Sequence, residues 1–267
     1  MQIALGMSPI SWSNDDLPEL GGSTSLATCL RETRAAGFTG TETGGKFPKS
    51  PQALAQLLHE HDLALVSGWY SGRLIKNELD AELDQIAEQL ALFKACGASV
   101  LVYGETFATI QNQRRCALSS RVQLRDFDVA AYGRKLTKLA EHCAENGVPL
   151  SFHHHMGTAV ETEQEVDQLM NATGDSVGLL VDTGHLLFAG GDPVGVIKRH
   201  GARINHVHAK DVRAQILRRV DPEVDSFLDC VLQGVFTVPG DGVIDYQLVM
   251  QNLADCGYQG WVVVEAE

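Results

Sequence analysis

Hydrophobic and polar positions along the chain follow two periodicities that alternate from one end to the other. Short apolar runs, which are typical of buried strands, occur eight times, and longer segments with apolar residues at helical spacing lie between them. The predicted strands cover residues 3–10, 38–43, 63–69, 99–103, 148–153, 177–182, 204–208 and 261–265.

Helical spacing is clearest in two of the intervening segments, residues 79–93 and 129–143, where apolar side chains recur every three or four positions. Each segment therefore presents one apolar stripe to a core. Several helices are predicted to end in a glycine just before the next strand, because a left-handed C-terminal cap favours that residue. These glycines are Gly37, Gly97, Gly147 and Gly257.

Alternating strands and helices without a break in composition predict an α/β protein with one closed (β/α)8 TIM barrel over residues 1–267. A length of 267 residues is ordinary for a single barrel. An open doubly wound sheet is the alternative, but no GxGxxG pattern follows the first strand.

Histidine and carboxylate residues are concentrated at the predicted strand ends, where barrels carry their chemistry. Alternate side chains of a strand point to the same face, a rule that we call strand parity. It places His206, His208 and Lys210 on one face of the seventh strand. By the same parity, His153 and His155 point into the barrel and His154 points away.

Imidazoles and carboxylates that converge on a barrel mouth suit a divalent ion with mixed nitrogen and oxygen ligands, such as Mn²⁺, Co²⁺, Zn²⁺ or Mg²⁺. Glu265 ends an apolar strand, where an unpaired carboxylate would be costly to bury. No cysteine falls at a strand end, which excludes a thiolate site.

Charge and hydropathy argue against a nucleic-acid-binding, membrane or secreted protein. Lys and Arg total 21 against 34 for Asp and Glu, and the net charge of −13 opposes binding to nucleic acid. No apolar run is long enough to cross a membrane, and the N-terminal segment lacks the basic start of a secretory signal. We therefore expect a cytoplasmic protein with a small-molecule partner. A homo-oligomer is compatible with the sequence.

Specific motifs extend over nearly the whole chain: SPISWSNDDLPELGG (8–22), FHHHMGT (152–158), VDTGHL (181–186), HVHAKDVR (206–213) and VVVEAE (262–267). With these motifs the chain resembles the inosose (2-keto-myo-inositol) dehydratases of the xylose-isomerase-like barrel superfamily. The resemblance implies metal ligands at Asp182, His208 and Glu265, and a substrate-binding or proton-relaying role for His185.

Two departures from the pattern of these relatives affect what the resemblance implies. Many relatives have a glutamate ligand on strand five, where this chain has His153, so His153, His155 or neither completes the metal site. Relatives also continue into a final helix after the eighth strand, whereas this chain stops at Glu267, so we expect the C-terminal helix to be missing.

The reaction implied by the resemblance removes water from 2-keto-myo-inositol, a cyclic polyol ketone, with Mn²⁺ or Co²⁺ and in some members glutathione. Such an elimination needs a base, for which Glu265 and His153 are candidates, and an acid beside the leaving hydroxyl. The acid candidates are His206, His185 and Lys210. The substrate-binding candidates are Trp12, Glu42, Trp69, His155 and Arg213.

Three other functions are compatible with a barrel of this kind. A ketose isomerase or epimerase would use the same ligands but return the proton to carbon. A metal-dependent abasic-site endonuclease would need more histidines at strand ends two and three, where this chain offers Glu42 and Trp69, and the net charge also opposes it. A non-catalytic sugar-binding barrel is the third alternative.

Overall fold

The computed structural model describes residues 2–267, and its central feature is a closed barrel of eight parallel strands. The strands are β1 (Ile3–Met7), β2 (Gly40–Thr43), β3 (Ala64–Gly72), β4 (Leu101–Glu105), β5 (Leu150–His153), β6 (Gly178–Asp182), β7 (Ile204–Ala209) and β10 (Gly260–Val264), together with β8 (Asp211–Val212) and β9 (Phe236–Thr237). Around the barrel the order is β1-β10-β7-β6-β5-β4-β3-β2, while β8 and β9 form a separate antiparallel pair.

Each of the eight predicted strands corresponds to one strand of the barrel, so the predicted fold class is confirmed. The first strand ends at Met7 rather than at position 10, because Pro9 begins a short 3₁₀ turn and cannot continue the ladder. The third strand continues to Gly72, beyond the predicted end. The β8–β9 pair was not predicted, because strands of two residues show no periodicity.

The helices surround the barrel, and two of them match the segments with the clearest spacing. They are α1 (Leu26–Ala35), α2 (Pro51–Glu60), α3 (Leu79–Cys96), α4 (Val129–Glu145), α5 (Glu163–Ala172), α6 (Thr183–Phe188), α7 (Pro193–His200), α8 (Ala214–Leu217), α9 (Phe227–Leu232) and α10 (Tyr246–Asp255). The predicted capping glycines all have positive φ, as Gly97 shows after α3 with a φ of 73°. None of the helices within residues 2–267 has the length and apolar character that a membrane span requires.

Apolar side chains fill the interior of the barrel below its carboxyl end. Val100, Val102 and Leu180 form a buried cluster there, and Trp69 packs against it. At Gly40, an added Cβ would lie 2.5 Å from Val66 and 2.7 Å from the ring of Trp261, so only glycine leaves room for both. The lower barrel is therefore a packed core.

A buried ion-pair cluster ties the loop after β4 to the loop after β5. The side chain of Arg121 is 8% exposed, with Nε 3.1 Å from Glu161 Oε1 and Nη2 3.0 Å from Glu165 Oε2. Its Nη1 also donates to the Thr158 carbonyl at 3.2 Å. Because Glu165 caps the N-terminus of α5 together with Thr162, the cluster fixes the segment that follows the triple histidine.

We predict that Arg121→Met destabilises the protein by about 3–5 kcal/mol, since it leaves two buried carboxylates without their cation. Chemical denaturation monitored by circular dichroism measures the change. Arg115→Met is the matched control: Arg115 is exposed, and its replacement should change stability by less than about 0.5 kcal/mol. Equal stabilities of the two variants would contradict the structural role of Arg121.

Candidate active site

A cavity of about 540 Å³ opens at the carboxyl ends of the strands. Its walls are formed by side chains that several different strands deliver to one place, as barrel geometry requires. The wall includes seven of the residues that sequence analysis singled out: Glu42, Trp69, His153, His155, His208, Lys210 and Glu265. His154 is buried outside this wall, where its Nε2 accepts a hydrogen bond from the backbone N–H of Asp182.

The floor of the cavity brings the ligands implied by the resemblance together around His208. Its Nδ1 lies 3.6 Å from Asp182 Oδ2 and 3.3 Å from Glu265 Oε2. The register of the sheet explains this proximity, because His208 is paired with Asp182 of β6. Glu265 follows β10 directly, and its backbone N–H donates to the Ala209 carbonyl, which holds the carboxylate beside β7.

Two atoms of this group are buried without a partner. Asp182 Oδ2 and His208 Nδ1 make no hydrogen bond within residues 2–267, although both are shielded from solvent. His153 approaches the same point, with Nε2 3.7 Å from Asp182 Oδ2. Buried ligand atoms that face one another without a hydrogen-bond partner fit a divalent cation with mixed nitrogen and oxygen ligands. His153, Asp182, His208 and Glu265 are therefore the residues that could hold such an ion.

Burial and charge set the protonation of the imidazoles around this point. Burial lowers the pKa of His153 well below its usual value and lowers that of His155 to about 4, so both rings are neutral near pH 7. Burial also opposes a charge on His208, but the carboxylates of Glu265 and Glu42 outweigh it and raise the pKa of His208. For Glu265, burial favours the neutral acid, yet His208 and Lys210 lower its pKa well below the usual range.

Lys210 is the cation closest to the proposed ligands. Its Nζ lies 2.9 Å from Glu265 Oε2 and 3.7 Å from Asp182 Oδ2. The same atom is 3.2 Å from His185 Nε2. His185 is fully buried and does not line the cavity; its ring packs against that of His155 at a centroid distance of 3.9 Å.

A second polar group lies on the opposite side of His208. Glu42 Oε1 accepts hydrogen bonds from His208 Nε2 at 3.0 Å, from His206 Nε2 at 2.9 Å and from the hydroxyl of Ser67. Glu42 reaches the cavity wall, whereas His206 is buried below it. Parity correctly turns His206 inward, but its position two residues earlier on β7 places it deeper in the barrel.

Two of the substrate-binding candidates lie away from the cavity. The indole N–H of Trp12 donates to Glu32 at 2.7 Å, and Arg213 bonds Asp241 at 2.8 Å and the carbonyls of residues 234 and 236. Neither side chain lines the cavity wall. Each residue lies in a loop beyond its strand, where parity no longer fixes the direction of a side chain, and substrate contact by either stays a prediction.

Several polar residues at the cavity wall were not predicted from the sequence, Gln111 and Asp16 among them. Gln111 donates to Asp16 at 3.2 Å and so joins the loop after β4 to the loop after β1. Asp16 belongs to a quoted motif, but nothing in its spacing signals a contact 95 positions further along the chain. Such contacts depend on loop paths, which periodicity does not predict.

Comparison with known proteins finds one family and several full-length relatives. Residues 30–267 match the family described as xylose isomerase-like TIM barrel. The rhizopine catabolism protein MocC of Rhizobium meliloti is 52% identical over all of this chain and 82% of its own length. The inosose dehydratase of Geobacillus thermodenitrificans is 40% identical over all of this chain and 90% of its own length.

Solved structures share the fold at low sequence identity. The IOLI protein, solved with a bound zinc atom, superposes with a TM-score of 0.68 at 18% identity, over 99% of this chain and 89% of that protein. A probable 3-DHS dehydratase, AsbF from Bacillus anthracis, gives a TM-score of 0.69 at 15% identity over 98% and 92% of the two chains. From the full-length matches, the chain belongs to the xylose isomerase-like TIM barrel family, in the branch that contains the inosose dehydratases.

Proposed function

We propose that this chain is a metal-dependent carbon–oxygen lyase that eliminates water from 2-keto-myo-inositol in inositol catabolism. One observation supports the proposal: His153, His208, Glu265 and Lys210 line one cavity. Asp182 Oδ2 lies 3.6 Å from His208 Nδ1, and Lys210 Nζ lies 2.9 Å from Glu265 Oε2. Full-length identity of 40% to an inosose dehydratase supports the choice of substrate.

The metal would be held by His153, Asp182, His208 and Glu265, with Mn²⁺ or Co²⁺ proposed as the ion. The neutral imidazole of His153 takes the place of the strand-five glutamate found in many relatives. When bound, the ion supplies Lewis acidity that polarises the ketone of the substrate. Nothing within residues 2–267 supports the glutathione requirement implied by the resemblance, so glutathione is left out of the proposed reaction.

The charge and size of the cavity favour a neutral ring. Asp15, Asp16 and Glu267 contribute carboxylates to its wall, and among the described residues the lining has Arg73 and Lys210 as its lysine and arginine side chains. This excess of acidic groups disfavours a phosphorylated substrate. A volume of about 540 Å³ is ample for one six-membered polyol ring and its hydration.

The proton transfers are assigned to Glu265 and Lys210. Glu265 is proposed to remove the proton from the carbon beside the ketone, and the electron pair of that bond moves toward the carbonyl oxygen. The electrons then return to form the carbon–carbon double bond as the β-hydroxyl leaves with a proton from Lys210 Nζ. One water is released, and the proton taken by Glu265 can pass to Lys210 over the 2.9 Å that separates them.

Lys210 is preferred among the three acid candidates because it alone lines the cavity. The Nε2 atom of His185 lies 3.2 Å from Lys210 Nζ and is suited to hold the ammonium in place. His206 lies below the floor and is bound to Glu42. The isomerase alternative would instead need an acid positioned to return the proton to carbon.

A second candidate is favoured by the higher identity to MocC, 52% against 40%. The same cavity and proposed metal site would then serve a step of rhizopine catabolism. Parallel assays with rhizopine and 2-keto-myo-inositol at equal enzyme concentration separate the two candidates, because the larger kcat/KM identifies the preferred substrate.

Removal of metal should abolish the reaction. We predict that protein treated with a chelator does not convert 2-keto-myo-inositol, and that added Mn²⁺ or Co²⁺ restores formation of an ultraviolet-absorbing dione. Absorbance against time, with metal content measured in parallel, checks this. Undiminished turnover by metal-free protein would rule out the proposed chemistry.

We predict that Glu265→Gln weakens metal binding and lowers turnover by at least about 10²-fold, since the amide keeps the size of the side chain but removes its charge and its basicity. Metal titration and steady-state kinetics measure the two effects. If both values stayed near those of the wild type, Glu265 would be neither a ligand nor the base.

Lys210→Met should separate catalysis from metal binding. We predict that turnover falls by about 10²–10⁴-fold, because the acid is lost, while the divalent ion binds at least as tightly once a nearby positive charge is gone. Lys198→Met, at an exposed position of α7, is the control and should retain wild-type kinetics. A Lys210→Met enzyme with normal kcat would remove Lys210 from the proposed mechanism.

A further inference from the structure

Both ring nitrogens of His208 face carboxylates, but on opposite sides of the ring. Nδ1 faces Asp182 and Glu265 at 3.6 and 3.3 Å, while Nε2 lies 3.0 Å from Glu42 Oε1. A carboxylate can only accept a hydrogen bond, so Nε2 must carry the hydrogen in this contact. In a neutral imidazole the lone pair is then left on Nδ1, on the side of the proposed metal.

We propose that Glu42 is a positioning residue for the metal centre: it fixes the tautomer and the orientation of His208 so that Nδ1 points at the ion. The inference rests on the proposed function, because it assumes the metal centre described there. Histidine ligands commonly donate their other N–H to a carboxylate, which orients the ring and raises its basicity.

Glu42 is itself held in place by two further donors. The Ser67 hydroxyl and His206 Nε2 bond the same oxygen that His208 uses. Ser67 is the register partner of Glu42 on β3, and His206 lies two residues before His208 on β7. Three donors on one oxygen offset the cost of burying this carboxylate. His206 thereby serves as an anchor for Glu42, away from the reacting atoms.

The same residues could instead hold a second ion, because one ligand atom each from Glu42, His206 and His208 lies within 4.8 Å of the others. The hydrogen bonding favours the positioning role. On the Glu42 side every one of these atoms has a hydrogen-bond partner, whereas on the opposite side Asp182 Oδ2 and His208 Nδ1 are buried without one. Unsatisfied ligand atoms mark where the ion binds.

The test measures Co²⁺ binding directly, by competition with a chromophoric chelator and by the visible absorption of bound Co²⁺. Glu42→Gln should weaken Co²⁺ affinity by about 10–100-fold and alter the absorption bands, with one ion bound as in the wild type. Glu42→Ala, which lacks any acceptor, should weaken it further. His206→Asn should also weaken it, by a smaller factor, because Ser67 still supports Glu42.

Glu105→Gln is the matched control. Glu105 is also a buried carboxylate at a strand end, bonded by Tyr103 and two backbone N–H groups, but it does not line the cavity. Its replacement disturbs the barrel in a comparable way without touching His208, so Co²⁺ affinity and spectrum should match the wild type. If Glu42→Gln does not fold, His206→Asn provides the same comparison.

Three results would overturn the positioning role. They are wild-type affinity and spectrum in Glu42→Gln, a loss of one of two bound ions in that variant, and no Co²⁺ binding by the wild-type protein. Glu42-dependent Co²⁺ binding by a protein that does not dehydrate 2-keto-myo-inositol would uphold the positioning role and contradict only the proposed reaction.

Discussion

Buried negative charge at the mouth of the barrel is the constraint on which the rest of this site depends. Glu42, Asp182 and Glu265 surround His208 and are exposed by 5%, 0% and 7%, respectively. Carboxylates at such depth cost several kcal/mol each unless cations or hydrogen-bond donors face them. Lys210 is the cation in contact with this group, and one positive charge does not balance three carboxylates. Two negative charges remain, of which a proton on His208 would offset one and a divalent ion both.

The fold makes this concentration of charge possible because residues of several strands share in offsetting the free-energy cost of burying the carboxylates. Parallel register sets Asp182 beside His208 and Ser67 beside Glu42, so each carboxylate meets a partner from a neighbouring strand. The apolar cluster of Val100, Val102 and Leu180 packs inside the barrel, and the Arg121 ion pairs fix the loop that follows β5. The polar side chains at the mouth therefore lie between the packed barrel core and a loop that is fixed by ion pairs.

Strand parity and the position of strand ends predicted much of this arrangement from the sequence. They placed His153, His208 and Lys210 at the barrel mouth, and those three side chains line the cavity. Parity gives the direction of a side chain but not its depth, so it could not separate His206, below the floor, from His208. It also fails beyond the strand ends, where Trp12 bonds Glu32 of α1 and Arg213 bonds the carbonyl of Gly234. Depth and loop path depend on register and tertiary packing, which a single sequence does not encode in any short pattern.

The most direct test of the metal centre is a crystal structure of the protein loaded with Co²⁺ or Mn²⁺, with data collected on both sides of the metal absorption edge. We predict one anomalous peak in the cavity, within ligand distance of Asp182, His208 Nδ1 and Glu265, with His153 as the fourth side chain. A peak bound instead by Glu42, His206 and His208 Nε2, or peaks confined to the protein surface, would contradict it.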